Sequence, residues 1–509
     1  MASHLSDHLE VGTDLVLQNR IAAARRQEAA GNILNALQIL ADLLSTHPGH
    51  RDILLALARL NKRIGAPQDS LLLIQLALQS HPTDRELQSE LADSLEACGR
   101  TDDGLAVLER LALAAPDDPH PLLRLSYMHR RHENHEAAEE ICARMLIRYP
   151  DFSMGWVSHG IGDHRAGRNV EAETCFQKAL TLDPENPVAH LSRACNLLAM
   201  GRWREGFAEF EWRRKLPNAV ASPVAVPVCN GHEPAGTRLL LWNDQGLGDA
   251  IQFLRYLPLV KAHGYKPILV LSKELCRLAR SVSGADIVLP SDAPLPPCDA
   301  HLPLMSVPFV LGAQKEIVPA DEPYVQPDRQ SVARWANRLT GLPGLKVGLV
   351  WAGAARKNDF QAHTLDRRRS LDLAQLRPLL TTPGTSFVSL QMGREFSSQI
   401  AALPPDIRPF NPMDEVEDFL DTAAVIQNLD LVISVDTSVA HLAGALGKPV
   451  WILSRFDGCW RWLKDRDDSP WYPTVRLFRQ NAPGQWDDVI SRTAAALHES
   501  IGSGDMARK

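Results

Sequence analysis

The sequence lacks several features that would narrow its function at once. Its eight cysteines (98, 142, 175, 195, 229, 276, 298 and 459) form no Cys-x-x-Cys pair, so a zinc ribbon and a thioredoxin-type redox motif are excluded. Reduced thiols are the expectation. No apolar run approaches the ~20 residues a membrane helix needs. The opening residues, MASHLSDHLE, hold no basic segment followed by an apolar one, so no signal peptide is expected and the expected compartment is cytoplasmic. Basic charge is not in excess: 54 Lys and Arg stand against 61 Asp and Glu, a net −7, which argues against a dedicated nucleic-acid surface. No Asp-x-Asp sequence is placed at a strand end, so neither a metal nor another cofactor is expected. What remains is an ordinary globular composition, 45% hydrophobic and 23% charged, over 509 residues. That length suggests about three domains at roughly 150 residues each.

One stretch organises the chain. Residues 428–453 read NLDLVISV-DTSVAHLAGALGKP-VWIL. Leu431–Val435 is a short apolar, β-branched run fit for a buried strand. Asp436, Thr437 and Ser438 can each cap a helix, Val439–Leu446 is apolar and Ala-rich, and Gly447 and Pro449 end it. A second strand begins at Val450. A hydroxyl-lined helix start at the carboxyl end of a strand gathers free N–H groups and a positive dipole end, which suits an anion. An ordinary capped crossover is the alternative.

The first 216 residues are periodic. Prolines fall at 48, 82, 116, 150 and 184, a step of 34. Small residues precede them at Ala36, Ser70, Gly104, Ala137 and Ala172, and large apolar ones at Leu40, Ile74, Leu108, Ile141 and Phe176. The pattern resembles the tetratricopeptide repeat, a helix-turn-helix unit that buries its apolar face only by stacking on its neighbours. A solenoid over 1–216 is expected, either holding a protein partner in its groove or only orienting the C-terminal half. His81, His132, His135 and His164 read as solvated turn residues.

Residues 217–236 carry Pro217, Pro223, Pro227 and Pro234 and read as an extended connector. Beyond them strands alternate with helices. Arg238–Trp242, Pro267–Leu271, Asp286–Leu289 and Asp299–Leu304 are strand-like, with helices at 250–263 and 273–281. A second set has strands at 346–353, 386–392, 431–435, 450–453 and 475–478, with helices at 373–380 and 415–428. Two Rossmann-like domains follow, 237–340 and 341–509, with their carboxyl-end strand rims facing a cleft.

Four turns could carry chemistry. Gly246 and Gly248 let the backbone approach a ligand closely, and Asp249 is placed either as a general base or as a helix cap. Residues 351–371 have Gly353 after a strand and then Arg356, Lys357, Arg367, Arg368 and Arg369, either a diphosphate-holding loop or a solvated charge run. Thr437 and His441, four apart, share a helix face; the first can donate to phosphate, and the second reaches either a phosphate or a structural partner. Trp460, Trp462, Trp471 and Tyr472 read as a binding rim or as an aromatic lock on the C-terminal helix.

Together these segments resemble bacterial tetratricopeptide proteins carrying a heptosyltransferase-like module of glycosyltransferase family 9. The resemblance rests on LLLWNDQGLGDAIQFLRY, VGLVWAGAARKND followed by RRRSL, FVSLQ, DFLDTAAVIQNLDLVISVDTSVAHLAGALGKPVW and WRWLKDRDDSPWYPTVRLFRQ, and spans roughly 238–500. It implies the GT-B fold: an α-helical solenoid followed by two α/β Rossmann-like domains, acceptor in the first, nucleotide-sugar donor in the second. It implies Asp249 as the base. It implies donor phosphates lined by Asp436, Thr437, Ser438 and His441, with Lys357 and Arg369 as cations. Between Asn358-Asp359 and Arg367–Ser370 this chain inserts FQAHTLD, where family members are shorter. The implied activity is inverting, metal-independent transfer of a hexose or heptose from a nucleotide-diphosphate sugar to a protein or saccharide hydroxyl. The alternative is a non-catalytic scaffold with a degenerate module.

Overall fold

The structure, a computed structural model, describes residues 16–28, 31–312, 323–353 and 360–503. Its packing divides it into two compact units: the first runs to Gly162 and also takes in 360–364, and the second holds the other described residues from Asp163 onward.

The first unit is helical throughout its regular elements. After a helix over 16–28 come Ile33–Thr46, Arg51–Arg63, Pro67–Ser80, Arg85–Ala97, Thr101–Ala114, His120–Arg131 and His135–Arg148. Consecutive helices pack on one another. The residues at the 34-residue spacing are the ones they bury: Ala36, Leu40, Ser70, Ile74 and Leu108. In the fourth repeat the fully buried pair is Ala138 and Cys142, not Ala137 and Ile141. Ala138 and Cys142 precede Pro150 by the same distances as Ala36 and Leu40 precede Pro48. Arg59 and Lys62 of Arg51–Arg63 pair with Glu90 of Arg85–Ala97, the corresponding helix of the following repeat, and Arg131 of His120–Arg131 pairs with Glu96 across the next such step. His132 is an exposed turn residue, as its place at a repeat end suggests, with its Nε2 3.0 Å from Glu96 Oε1.

The turn joining paired helices needs a left-handed residue, supplied by Gly65 (φ 83°) and Gly99 (φ 79°). In the next repeat the same position is Glu133, at φ 62°. Left-handed backbone costs an L-residue about 1–2 kcal/mol, and glycine's extra freedom in the unfolded chain returns about half of that. Glu133→Gly is expected to raise stability by about 0.5–1 kcal/mol, read from urea midpoints at unchanged m. A lower midpoint would mean that Glu133 makes contacts worth more than its strain.

The second unit starts with repeat helices Asn169–Leu182, Pro187–Ala199 and Trp203–Phe210 and ends with two parallel sheets. Strands β1 (Arg238–Trp242), β2 (Lys266–Leu271), β3 (Ile287–Pro290) and β4 (Ala300–Pro303) lie in the order β3-β2-β1-β4. Strands β5 (Leu345–Val350), β6 (Thr385–Ser389), β7 (Leu431–Val435), β8 (Val450–Ser454) and β9 (Val475–Arg479) lie in the order β6-β5-β7-β8-β9. The central strands are apolar and buried along their length, as parallel strands covered by helices must be. In each sheet the order reverses beside the first strand, and at such a switch point the loops after neighbouring strands part and leave a crevice.

Several elements differ from the sequence reading. The helix expected over 250–263 is broken into Leu247–Phe253, a tight turn Leu254–Tyr256, and Leu257–Ala262. Pro258 explains the break, since it has no N–H to donate and its ring clashes one turn back. The connector is not free: Cys229 N–H donates to the His301 carbonyl (2.8 Å) and His301 N–H to that of Pro227 (3.0 Å), adding an outer bridge beside β4.

The domain boundaries differ as well. Arg329–Leu339, assigned by sequence to the first α/β domain, packs on Phe419–Gln427 of the second, with Arg334 on Asp421 (2.7 Å). The repeats do not end cleanly at 216 either. Arg213 is 4% exposed and reaches Asp244 (2.7 Å) and Ser306 (2.8 Å) of the first α/β lobe. Phe207 and Trp203 pack edge-on against Trp460 and Trp471. One apolar core thus runs through the last repeat and both lobes. A second core lies beneath the other face of the five-stranded sheet.

Candidate functional site

The site grows from two helix starts. After β1, Arg213 holds Asp244, and the chain turns at Gly246 into the helix Leu247–Phe253. After β7, Thr437 is the cap residue of Ser438–Ala445. The two starts touch. A Cβ built on Gly248 would lie 3.0 Å from His441 Cδ2 and 3.3 Å from Ser438 Cα, tighter than side chains ordinarily pack, so glycine allows this approach without displacing its neighbours. Asp249 and the Asp436–His441 segment are therefore brought to one place.

Thr437 makes no side-chain bond to the helix N–H groups it precedes; its Oγ1 lies 3.1 Å from Ser434 Oγ. The helix start is thus left uncapped by its own cap residue, and Asp436, Thr437 and Ser438 are all partly exposed. Arg369 is brought to the same rim. Its Nη1 donates to the Asp436 carbonyl (2.7 Å), another nitrogen meets Asp366, and its Nε is buried without a partner. Gly353 makes room for it: a Cβ there would lie 2.7 Å from Arg369 Nε and Nη2. Arg367, Arg368 and Arg369 thus form the end of a helix, Phe360–Arg369, and not a solvated loop. Arg368 is engaged too, on Asp457 at 2.8 Å. Lys357 lies outside the described residues.

Both oxygens of Asp249 are occupied. Oδ2 accepts the Gly246 N–H (2.9 Å), which is the capping role, and Oδ1 is paired with Arg461. The sequence did not single out Arg461. It sits in the turn Trp460–Trp462, its Nε reaches Gln252 Oε1 (2.5 Å) and its guanidinium lies 4.1 Å from the Trp460 ring centroid. Burial disfavours its charge, but Asp249 and Asp436 more than offset this, so it is held even more firmly protonated than usual.

His441 is buried. Its Nδ1 lies 3.0 Å from Tyr472 Oη and its ring stacks on Trp462 at 5.3 Å. Burial, helped by Arg461, Arg255 and Arg369, pushes its pKa well below the ordinary value. The ring is therefore neutral at pH 7 and is not a cation for phosphate.

The aromatic run is neither a rim nor a lock on the C-terminal helix. Trp462 is 0% exposed and Trp471 and Tyr472 each 1%; Trp460 and Trp471 hold Phe207 and Trp203 of the last repeat to the lobes, while Trp462 and Tyr472 pack on His441. His164, read as solvated, is half-buried and bonded to Asn196 (2.9 Å). An Asp-x-Asp sequence does occur in the connection from β8 to β9, at Asp465-Arg466-Asp467. With Lys464, this segment walls a cavity of about 770 Å³ against Gly167–Glu171.

Residues 418–453 match glycosyltransferase family 9 (heptosyltransferase), and residues 89–151 match a tetratricopeptide repeat. The chain joins tetratricopeptide repeats to a family 9 glycosyltransferase segment. The family 9 match begins at the cap of Phe419–Gln427 and ends in β8, so it contains the whole Asp436–His441 helix start. The chain is also 29% identical over 395 residues to protein FlbA of Caulobacter vibrioides, covering 70% of this chain and 63% of that protein. Among solved structures, MamA aligns at 19% identity over 32% of this chain and 95% of its own, with a TM-score of 0.26. A tetratricopeptide repeat protein from Parabacteroides merdae aligns at 19% over 38% and 77%, with a TM-score of 0.29. Likenesses this weak say nothing of function. No helix among the described residues is long and apolar enough to cross a membrane.

Proposed function

We propose that the family 9 segment belongs to a working glycosyltransferase, one that moves a hexose or heptose from a nucleotide-diphosphate sugar to a hydroxyl of a protein or saccharide. The carrying observation is the contact of Gly248 with Ser438 and His441, which sets Asp249 beside an uncapped helix start at a sheet switch point. The helix start would take the diphosphate, with Arg369 offsetting the charge that builds on it. Asp249 would take the acceptor proton while the hydroxyl oxygen bonds to the anomeric carbon. The bond from that carbon to the diphosphate breaks on the opposite face, and its electron pair leaves on the phosphate oxygen, so configuration inverts. With these cations and dipoles at the leaving group, no metal or other cofactor is needed. The repeats would hold a protein partner or acceptor.

A second reading has its own support. Both Asp249 oxygens are engaged, and the lobes share a packed core, as suits a scaffold with a silent module. One panel separates the two. UDP-, GDP-, ADP- and dTDP-sugars are screened for thermal stabilisation. A true donor at one hundred times its Kd adds about 2.7 kcal/mol, a shift of a few degrees. A flat response to all four classes favours the scaffold.

A further inference from the structure

The cation nearest the proposed base belongs to neither motif that marked the site. Arg461 comes from the β8–β9 connection of the second lobe and crosses to Asp249 of the first, 212 residues earlier in the chain. Its other nitrogens meet Gln252 Oε1 and Cys459 Sγ, the latter at 2.9 Å. It is thus seated on a polar ledge that would persist if Asp249 let go. Asp249 follows Gly248, which touches Ser438 and His441, and Trp462, the neighbour of Arg461, stacks on His441, so the turn that carries the guanidinium packs against the helix start at Ser438 as well as reaching the carboxylate.

An arginine so placed has two anions to choose between. In this structure the carboxylate holds it. A diphosphate at the Ser438 helix start offers more charge and a bidentate geometry that a guanidinium matches well.

We propose that Arg461 is a shared anion ligand that passes from Asp249 to the donor diphosphate, so that donor binding both secures the leaving group and frees the Asp249 carboxylate for the acceptor proton. This rests on the glycosyltransferase reading and adds an order to it: Asp249 is masked until the donor is seated. It also gives the cross-lobe ion pair a purpose beyond packing. A carboxylate left bare beside an empty diphosphate site would repel the incoming ligand, and pairing it with Arg461 cancels that repulsion until the ligand arrives.

The competition sets a sign that a structural ion pair would not give. Asp249→Asn keeps an oxygen for the Gly246 N–H but no longer competes for Arg461. Inorganic pyrophosphate and UDP, GDP and ADP are titrated into the full chain by calorimetry. Asp249→Asn is expected to bind the responding ligand about tenfold more tightly than the unsubstituted protein. Arg461→Lys, which keeps the charge but loses the fork, is expected to bind at least tenfold more weakly. In the double variant the tightening should vanish, because the gain runs through the guanidinium. Circular dichroism and melting of each variant confirm folding. If Asp249→Asn folds and binds no more tightly, or if the gain survives Arg461→Lys, the exchange is wrong while the donor site stands. If neither pyrophosphate nor any nucleotide binds the unsubstituted protein, the glycosyltransferase reading itself fails, and this inference with it.

Discussion

Asp249→Ala is expected to lower glycosyl transfer by about two to four orders of magnitude, the contribution of a positioned general base, while nucleoside-diphosphate binding survives. Two costs accompany it. The Gly246 N–H loses its acceptor, worth about 1 kcal/mol at a helix start. Arg461 loses its counter-ion, worth on the order of 2 kcal/mol; this lies below the ~3–5 of a fully buried pair because Asp249 keeps 22% of its side-chain surface. The variant should therefore melt lower and still fold. The measurement is transfer from whichever donor the thermal panel identifies, run beside diphosphate calorimetry on the same preparation. Transfer within tenfold of the unsubstituted protein would move the base elsewhere and leave Asp249 as cap and ion-pair partner. Loss of diphosphate binding together with transfer would give it a structural role.

The legible part of this chain was local. A 34-residue step of prolines announces stacked helix pairs, because each pair ends at the same place. The β7–helix–β8 unit could be read almost to the residue. A five-residue β-branched strand, a hydroxyl cap and a glycine at φ 70° leave few alternatives. The glycine contacts of the site were half legible. Gly248 and Gly353 signalled close approach, but not that one admits His441 and the other Arg369.

What stayed hidden is what depends on residues far apart in sequence. Arg461 sits between two tryptophans and reads as one charge in an aromatic run; its partner lies in the other lobe. Arg213 reads as part of a basic repeat end, yet it is buried against Asp244 and Ser306. Both facts follow from the core that joins the last repeat to the lobes, and no periodicity reports such a junction. The consequence is practical. A truncation at 216 would unpair Asp244 next to the Gly246 turn and uncover Trp460 and Trp471. The same core bears on lobe closure. Arg255 of the first lobe is buried among Tyr324, Trp471 and Tyr472 and donates to the Trp471 carbonyl (2.9 Å). Swinging the lobes apart would cost that guanidinium its contacts with Trp471 and Tyr472, which favours ligand entry by smaller movements at the rim.

Two tryptophans separate the stability of the fold from the integrity of the site. Trp462 is fully buried under the helix start, stacked on His441 at an interplanar angle of 19° and tilted against Tyr472 at 6.3 Å. Trp451 is 7% exposed in the other core, tilted against Phe478 at 5.3 Å. Truncating either to alanine removes a large buried ring and leaves a cavity, and each is expected to cost about 3–5 kcal/mol by denaturant unfolding. Their effects on diphosphate binding should diverge. Without Trp462 the His441 ring loses its stacking partner, and the turn that aims Arg461 loses its anchor, so pyrophosphate affinity should fall at least tenfold in protein that is still folded. Trp451→Ala should leave that affinity within twofold, because the sheet stands between its cavity and the helix start. Equal losses of affinity in the two variants would mean that binding follows global stability, and that the packing around His441 has no particular part in holding the anion.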